Sequence, residues 1–414
     1  MDQVQEVELT AQGGKRYDFL IIGGGIVGMT IARELIHRDS KTSICIIEKE
    51  SDVAQHGSGR NSGVLHAGFY YSADSLKARF TRDGNQAMRA YCIEHSLKLN
   101  ECGKLIIITS EEELEGLEEL KRRGDVNGVA LEWMAEDEIA TIDPNARTHK
   151  KALFSPATAT VDPVEICQCM KQELIDMGIE FQFKTRFKSH KDGIVTTNRS
   201  KIEVDYIINC AGLQADKIAR RFGFSKDYVI MPFKGLYLKY GGDGPYVRTN
   251  IYPVPNLANP FLGVHFTVTV DGTIKIGPTA TPAFWRENYR GISRFRLGEF
   301  LQVGYYMSRL FLSNSFGFRR LAISEMKKYN RRHFVNLTRG MVKEVDRKSF
   351  RKKSRPGIRA QLLHKKTLEL VQDFVIEGDQ HSMHVLNAVS PAFTCSMPFA
   401  AHVVDEIELK RNDI

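Results

Sequence analysis

The stretch that most constrains this chain is Gly23-Gly24-Gly25-Ile26-Val27-Gly28, set between a short apolar run and an amphipathic one. Residues 17–22 (YDFLII) read as a strand buried on both faces, because the run is continuous rather than alternating. A helical pattern follows to about residue 38, and residues 42–48 (TSICIIE) read as a second buried strand. Strand, glycines, helix and strand in this order make a βαβ unit of the kind that holds a dinucleotide. Gly23 permits the tight turn, Gly25 lets the backbone approach a pyrophosphate, and Gly28 lets the helix pack closely on the strand. The helix N-terminus offers unpaired N–H groups to the phosphates. Glu48 lies about 20 residues past the last glycine, where an acid bonds a ribose hydroxyl. Ile26, Val27 and Lys49 flank these positions and belong to the same candidate site.

At 414 residues the chain exceeds the size at which one core stops growing, so two interleaved domains are expected. The class is α/β. Further buried strands are expected at 104–109 and 204–209, and helices at 75–96, 111–123, 292–318 and 391–409. Asp162 and Pro163 mark another helix start. Between about 230 and 280, strand patterns alternate with turns at Gly241-Gly242, Asp243-Gly244 and Asp271-Gly272, which predicts a second, mostly antiparallel sheet.

Apolar runs fall far short of the roughly 18 residues of a membrane span. The polar start MDQVQEVELTAQGGKR does not resemble a secretory signal. The seven cysteines show no metal-ligand spacing and read as reduced, buried thiols of a cytoplasmic protein. Charge is uneven. Residues 319–366 hold 17 lysines and arginines against three acids, a net of +14, leaving −6 on the rest of a chain whose total is +8. Such a patch could serve nucleic acid or an anionic membrane surface, or is simply a solvated face.

Two further segments bear on which dinucleotide is held. Residues 59–68 (GRNSGVLHAG) suit a loop whose backbone passes close to a bulky ligand. Ser390 and Pro391 read as the cap and first residue of the closing helix, whose N–H groups would face the negative charge of a reduced flavin. These segments, with DFLIIGGGIVGM, IIEKE, SGRNSGVLHAGFYYSADSLKAR, CGKLIII, INCAGLQAD, NIYPVPN, FLGVHFT, DGTIKIGPTA, PGIRAQ and NAVSPAFT, carry a resemblance. The chain resembles the L-2-hydroxyglutarate dehydrogenase/oxidase branch of the D-amino-acid-oxidase-like flavoproteins, across residues 17–408 and only weakly over 286–350. It departs from the family pattern at Lys234-Gly235-Leu236, Thr279, Val389 and Phe393, changes that bear on the substrate more than on the flavin.

The resemblance implies a Rossmann-like FAD-binding domain at 17–80, 155–225 and 355–410. A substrate domain would take 81–154 and 226–354, including a basic helical segment at 292–353. FAD would be held by the glycine turn and Glu48, by Arg60, Asn61, Ser62, Gly63, Val64 and His66, by Ala211 and Gly212, and by Ser390, Pro391 and Ala392. The expected reaction is oxidation of a small anionic 2-hydroxy acid, with hydride leaving C2 for flavin N5 while a base takes the hydroxyl proton. His265 is the preferred base and His66 its rival; a hydrogen-bonded sheet histidine is the ordinary alternative for His265. Arg359 would clamp the substrate carboxylate, a bidentate task suited to a planar guanidinium. Lys234, Tyr237 and Tyr252 are weaker substrate-side candidates. The alternatives are the same flavin chemistry on glycerol 3-phosphate or an amino acid, with electrons passing to oxygen or to a membrane quinone through 292–353. No nucleic-acid partner is expected.

Overall fold

The computed structural model describes residues 15–72, 75–243, 246–255, 263–388 and 390–412. Expectations for the N-terminal tail to residue 14, for Gly244, for Asn256, Phe261 and Leu262 of the family motifs, and for Val389 lie outside these residues.

The fold grows from β1 (Arg16–Ile22), α1 (Ile26–Arg38) and β2 (Ile44–Ile47). β1 pairs in parallel with β2 on one side and with Lys201–Asn209 on the other. Phe19 and Ile21 enter one hydrophobic cluster while Leu20 and Ile22 enter another, so both faces of the strand are covered, as its continuous apolar run requires. Beyond β2 the sheet continues in parallel to Glu180–Gln182. On the far side Ser382–Asn387 pairs in parallel with the end of Lys201–Asn209. One sheet thus draws strands from both ends of the chain. The closing helix Ala392–Asn412 packs against α1 and against Leu76–Glu94. Ser75 caps the latter, and the Asp162 carboxylate accepts from Val164 and Glu165 N–H to start Pro163–Asp176.

A second large sheet runs Lys352–Lys353, Leu238–Lys239, Ile274–Gly277, His265–Val268, Asn250–Pro253, Lys104–Ile107, Lys151–Ser155 and Glu132–Ala135. Its pairings are antiparallel except where Asn250–Pro253 meets Lys104–Ile107 in parallel. In a separate three-stranded sheet, Tyr228–Gly235 pairs antiparallel with Gly357–His364, opposing Phe233 to Arg359.

Three expectations shift. The 292–318 helix covers only Leu297–Ser313, because Asn314, Phe316 and Gly317 adopt left-handed backbone before Phe318–Lys327 resumes. Asn and Gly are residues that tolerate this conformation and end helices. Glu111–Glu113 forms a single 3-10 turn ahead of Leu114–Val126. In the closing helix, Cys395 N–H donates to the Pro391 carbonyl, so Pro391 and not Ser390 holds the capping position. All seven cysteines are unpaired, and none is exposed.

Candidate active site

The first half of the site is made of backbone. Gly23 has φ +116°, and a Cβ there would lie 2.5 Å from the Cys210 carbonyl oxygen. A Cβ on Gly28 would lie 2.2 Å from the Gly23 carbonyl oxygen, so this glycine sets how closely α1 approaches the strand end. Gly24 N–H donates to Glu48 Oε2 at 2.9 Å, and Glu50 N–H to Glu48 Oε1 at 2.9 Å. Each carboxylate oxygen keeps a second lone pair for a ligand hydroxyl. Ser58, which the motif did not single out, accepts from Ile26 N–H at 2.9 Å and fixes the start of α1.

The 59–68 loop is pinned from several directions. Asn61 Oδ1 accepts from Gly63 N–H at 2.8 Å, and Ser62 Oγ accepts from Val64 N–H at 3.4 Å. Arg60 donates to the Gln55 carbonyl at 2.7 Å and lies 4.4 Å over the Tyr289 ring. Thr394 of the closing helix accepts from His66 N–H, and Asn85 donates to the Leu65 and His66 carbonyls. Neither Thr394 nor Asn85 was visible as a site residue in the sequence, since each acts across a long separation.

These elements border one cavity of about 660 Å³. Gly23, Gly25, Ile26, Val27, Glu48, Lys49, Arg60, Asn61, Ser62, Val64, His66, Ala211, Gly212, Ser390, Pro391 and Ala392 all line it. Tyr237, Tyr252, His265 and Arg359 line it too, so the structure brings the two groups of candidates together. Gly28 and Gly63 stand behind the lining, where they allow close backbone packing. Arg186, Lys188, Lys217, Arg221 and Arg296 add positive charge to the lining that no motif had marked.

Lys234 is the exception. It does not line the cavity; its ammonium donates to Asn288 Oδ1 at 3.0 Å. Its carbonyl accepts from the Thr279 hydroxyl at 3.0 Å, and the same hydroxyl accepts from Leu236 N–H at 3.1 Å. The unusual Thr279 therefore braces this strand end.

The side-chain half of the site is buried. His265 is 4 % exposed, and its Nδ1 lies 2.9 Å from the Gly263 carbonyl, which can only accept. Nδ1 therefore carries the proton and Nε2 keeps a lone pair, the tautomer a base needs. The ring stacks on Tyr252 at 3.7 Å and 15°. Burial pushes His265 down to about 3, with Lys104 and Lys328 acting in the same direction. His66 is held well below its ordinary value by burial, then by Lys104, His265 and Arg359. Both imidazoles are neutral at pH 7. An anion entering the cavity supplies the opposite charge that raises a histidine toward its working range. Burial pushes Tyr237 up to about 12 and raises Tyr252 further, so both phenols stay protonated donors.

Comparison with known proteins gives a match to the family model described as FAD dependent oxidoreductase over residues 18–405. This chain belongs to that family. It is 34% identical to the L-2-hydroxyglutarate dehydrogenase of Escherichia coli (strain K12) over 400 residues, covering 95% of this chain and 93% of that protein. It is also 34% identical to the mitochondrial L-2-hydroxyglutarate dehydrogenase of Homo sapiens over 423 residues, covering 95% and 89%. Among solved structures, dithionite-reduced L-alpha-glycerophosphate oxidase from Mycoplasma pneumoniae with FAD bound aligns with a TM-score of 0.74 at 21% identity, covering 95% of each chain. Glycine oxidase from Geobacillus kaustophilus aligns with a TM-score of 0.68 at 19% identity, covering 96% of each. The two structures share the fold.

As an FAD-dependent oxidoreductase the chain needs a groove that accepts a flavin dinucleotide, and its residues fit one. At Gly25 a Cβ would meet only Ser58 Oγ, at 3.1 Å, so the missing side chain leaves the α1 N-terminus open toward the cavity. Glu48 faces the cavity beside it, and the 59–68 loop and closing-helix start border the same space.

Proposed function

We propose that this FAD-dependent oxidoreductase converts L-2-hydroxyglutarate to 2-oxoglutarate. The observation that supports this most is the buried imidazole of His265, with its Nε2 lone pair free, lining the same cavity as the Arg359 guanidinium and the glycine cradle. In this reading Arg359 clamps the carboxylate next to the reacting carbon. His265 takes the hydroxyl proton at Nε2, while its Nδ1–H stays anchored on the Gly263 carbonyl. The bound flavin supplies the hydride acceptor for the C2 hydrogen. Tyr237 and Tyr252 donate to substrate oxygens, and His66 borders the flavin side and is the rival base. Arg186, Lys188, Lys217 and Arg221 lie in the cofactor-binding segments and suit the dinucleotide phosphates, while Arg359 favours an acid over a neutral substrate. Residues 17–80, 155–225 and 355–410 form the cofactor-binding domain, which the rest of the helix Leu76–Glu94 joins by packing on the closing helix and sharing a hydrophobic cluster with α1; the remainder of 81–154 and 226–354 form the substrate domain.

The test is anaerobic mixing of the flavin-loaded protein with L-2-hydroxyglutarate while flavin absorbance is followed. Bleaching with the L-isomer and none with the D-isomer is expected. Bleaching instead with glycerol 3-phosphate or an amino acid would replace the substrate.

A second reading concerns where the electrons go. Exposed apolar side chains concentrate in one region: Ile292 is 87 % exposed and Leu312 74 %, with Leu297, Leu301, Ile323 and Met326 also out. Arginines and lysines follow closely in sequence, and Arg296, at the head of the Leu297–Ser313 helix, lines the cavity. Among the described residues no helix is long and apolar enough to cross a membrane. This face is read as one that rests on an anionic bilayer and passes electrons to a quinone held there. Flotation with anionic vesicles, lost on changing Ile292, Leu301 and Leu312 to Glu, supports it; flotation unchanged by those substitutions refutes it.

A further inference from the structure

Lys104 opens the Lys104–Ile107 strand of the second sheet, and strand alternation puts it and Ile106 on one face and Leu105 and Ile107 on the other. The parallel neighbour sets Asn250 beside Lys104 and Tyr252 beside Ile106. Lys104 is fully buried, and its ammonium has no hydrogen-bond partner among the described residues. Three rings enclose it instead: Phe69 at 5.5 Å, Tyr70 at 5.1 Å and Tyr252 at 4.4 Å. A buried ammonium without an acceptor costs stability that aromatic faces repay only in part. A methionine would fill the same space without that cost. The cage therefore calls for a use of the charge.

Its position supplies one. Tyr252 carries the His265 imidazole on one face at 3.7 Å, which leaves no room there for a second group, so the Lys104 ammonium occupies the opposite face. We propose that Lys104 is a positioning residue whose charge, applied through the Tyr252 ring, opposes the protonation of His265 that a bound substrate anion favours. This rests on the reading of His265 as the base. The titratable groups around Lys104 are Tyr70 and Tyr252 in the cage, Cys102 just before it, and the His66 and His265 imidazoles. Lys328, paired with Glu325, opposes His265 protonation in the same sense. Burial lowers Lys104 itself to about 7, so its charge fades as pH rises through that value.

The experiment uses the flavin-loaded protein and the variants Lys104→Met and Lys104→Gln. His265 is followed by side-chain NMR with isotope-labelled histidine in the presence of 2-oxoglutarate, its signal assigned by loss in His265→Asn. Expected is a His265 titration moved upward by about one pH unit, the scale of one charge acting across a ring. Lys104→Met should melt no lower than the wild type. A His265 titration at the wild-type pH in both variants overturns the proposal. So does failure of both variants to bind flavin, which makes Lys104 a requirement of the fold. The acid limb of kcat, measured alongside, tests the base separately. If the NMR titration moves and the limb does not, the assignment of His265 as base fails while the action of Lys104 on it stands.

Discussion

The glycine cradle and the histidine–tyrosine face border the same cavity, yet they are built in opposite ways. The cradle is mostly backbone: Gly23 to Gly28, the end of β2 and the Cys210–Gly212 turn meet through carbonyls, N–H groups and missing side chains. The other face is all side chain, with His66, Tyr252, His265 and Arg359 drawn from four separate strands or loops. A cradle of backbone is fixed by local geometry and tolerates almost no added atoms. A face of side chains tolerates volume but depends on charge and protonation. Substitutions in the first should therefore remove the cofactor, and those in the second should remove chemistry while the cofactor stays.

The largest effect expected is Gly23→Ala. Its Cβ would clash with the Cys210 carbonyl oxygen and force a positive φ on alanine, so flavin affinity should fall at least about 100-fold in a titration with FAD. Retained yellow protein would break the contrast. Next, His265→Asn should keep flavin and lower kcat by about 10²–10⁴-fold, while Arg359→Lys should mainly raise KM, because lysine cannot offer the bidentate fork. Loss of flavin in either would show that the two parts are one structural unit.

A smaller effect concerns acid. His265 at about 3, His384 at about 4 and His66 lower than usual are buried neutral. The unfolded chain takes up these protons near its unperturbed value of about 6.5, before the folded protein does. The contribution of these three histidines to stability should be constant above that pH and be lost progressively as pH drops from about 6.5 toward 4. A melting temperature constant across that window would refute the burial assigned to these rings. The smallest effect is Lys234→Met, which should leave KM within about threefold, since the ammonium bonds Asn288 outside the cavity.

The contrast also explains what could be read in the sequence. The cradle was legible because its parts are contiguous: an apolar run, three glycines, a helix and an acid report one local geometry. The parallel partner of β1 was recognisable as a strand at VDYIIN, but nothing local said where it pairs. His265, Tyr237, Tyr252 and Arg359 came from family resemblance, because an isolated histidine or tyrosine on a strand carries no signal of its own. Lys104 was missed for a physical reason. A lysine at the edge of an apolar run ordinarily reaches solvent, and only the approach of Phe69, Tyr70 and Tyr252 from elsewhere closes over it. The break after Ser313 was, by contrast, written in Asn314 and Gly317 and simply overridden by the amphipathic pattern around them.

The strand Ser382–Asn387 completes the sheet that β1 begins. On the ribosome, the nascent chain therefore exposes its glycine turn long before the strand that closes the sheet, or the helix that clamps the 59–68 loop, has left the exit tunnel. Until then the first strands hold unpaired edges and apolar surface, the condition in which chains aggregate. Cofactor capture should for this reason wait until the strand Ser382–Asn387 and the helix Ala392–Asn412 have been made. Scarcity of FAD in the cell should then show itself as misfolded, degraded protein rather than as a stable pool of colourless enzyme.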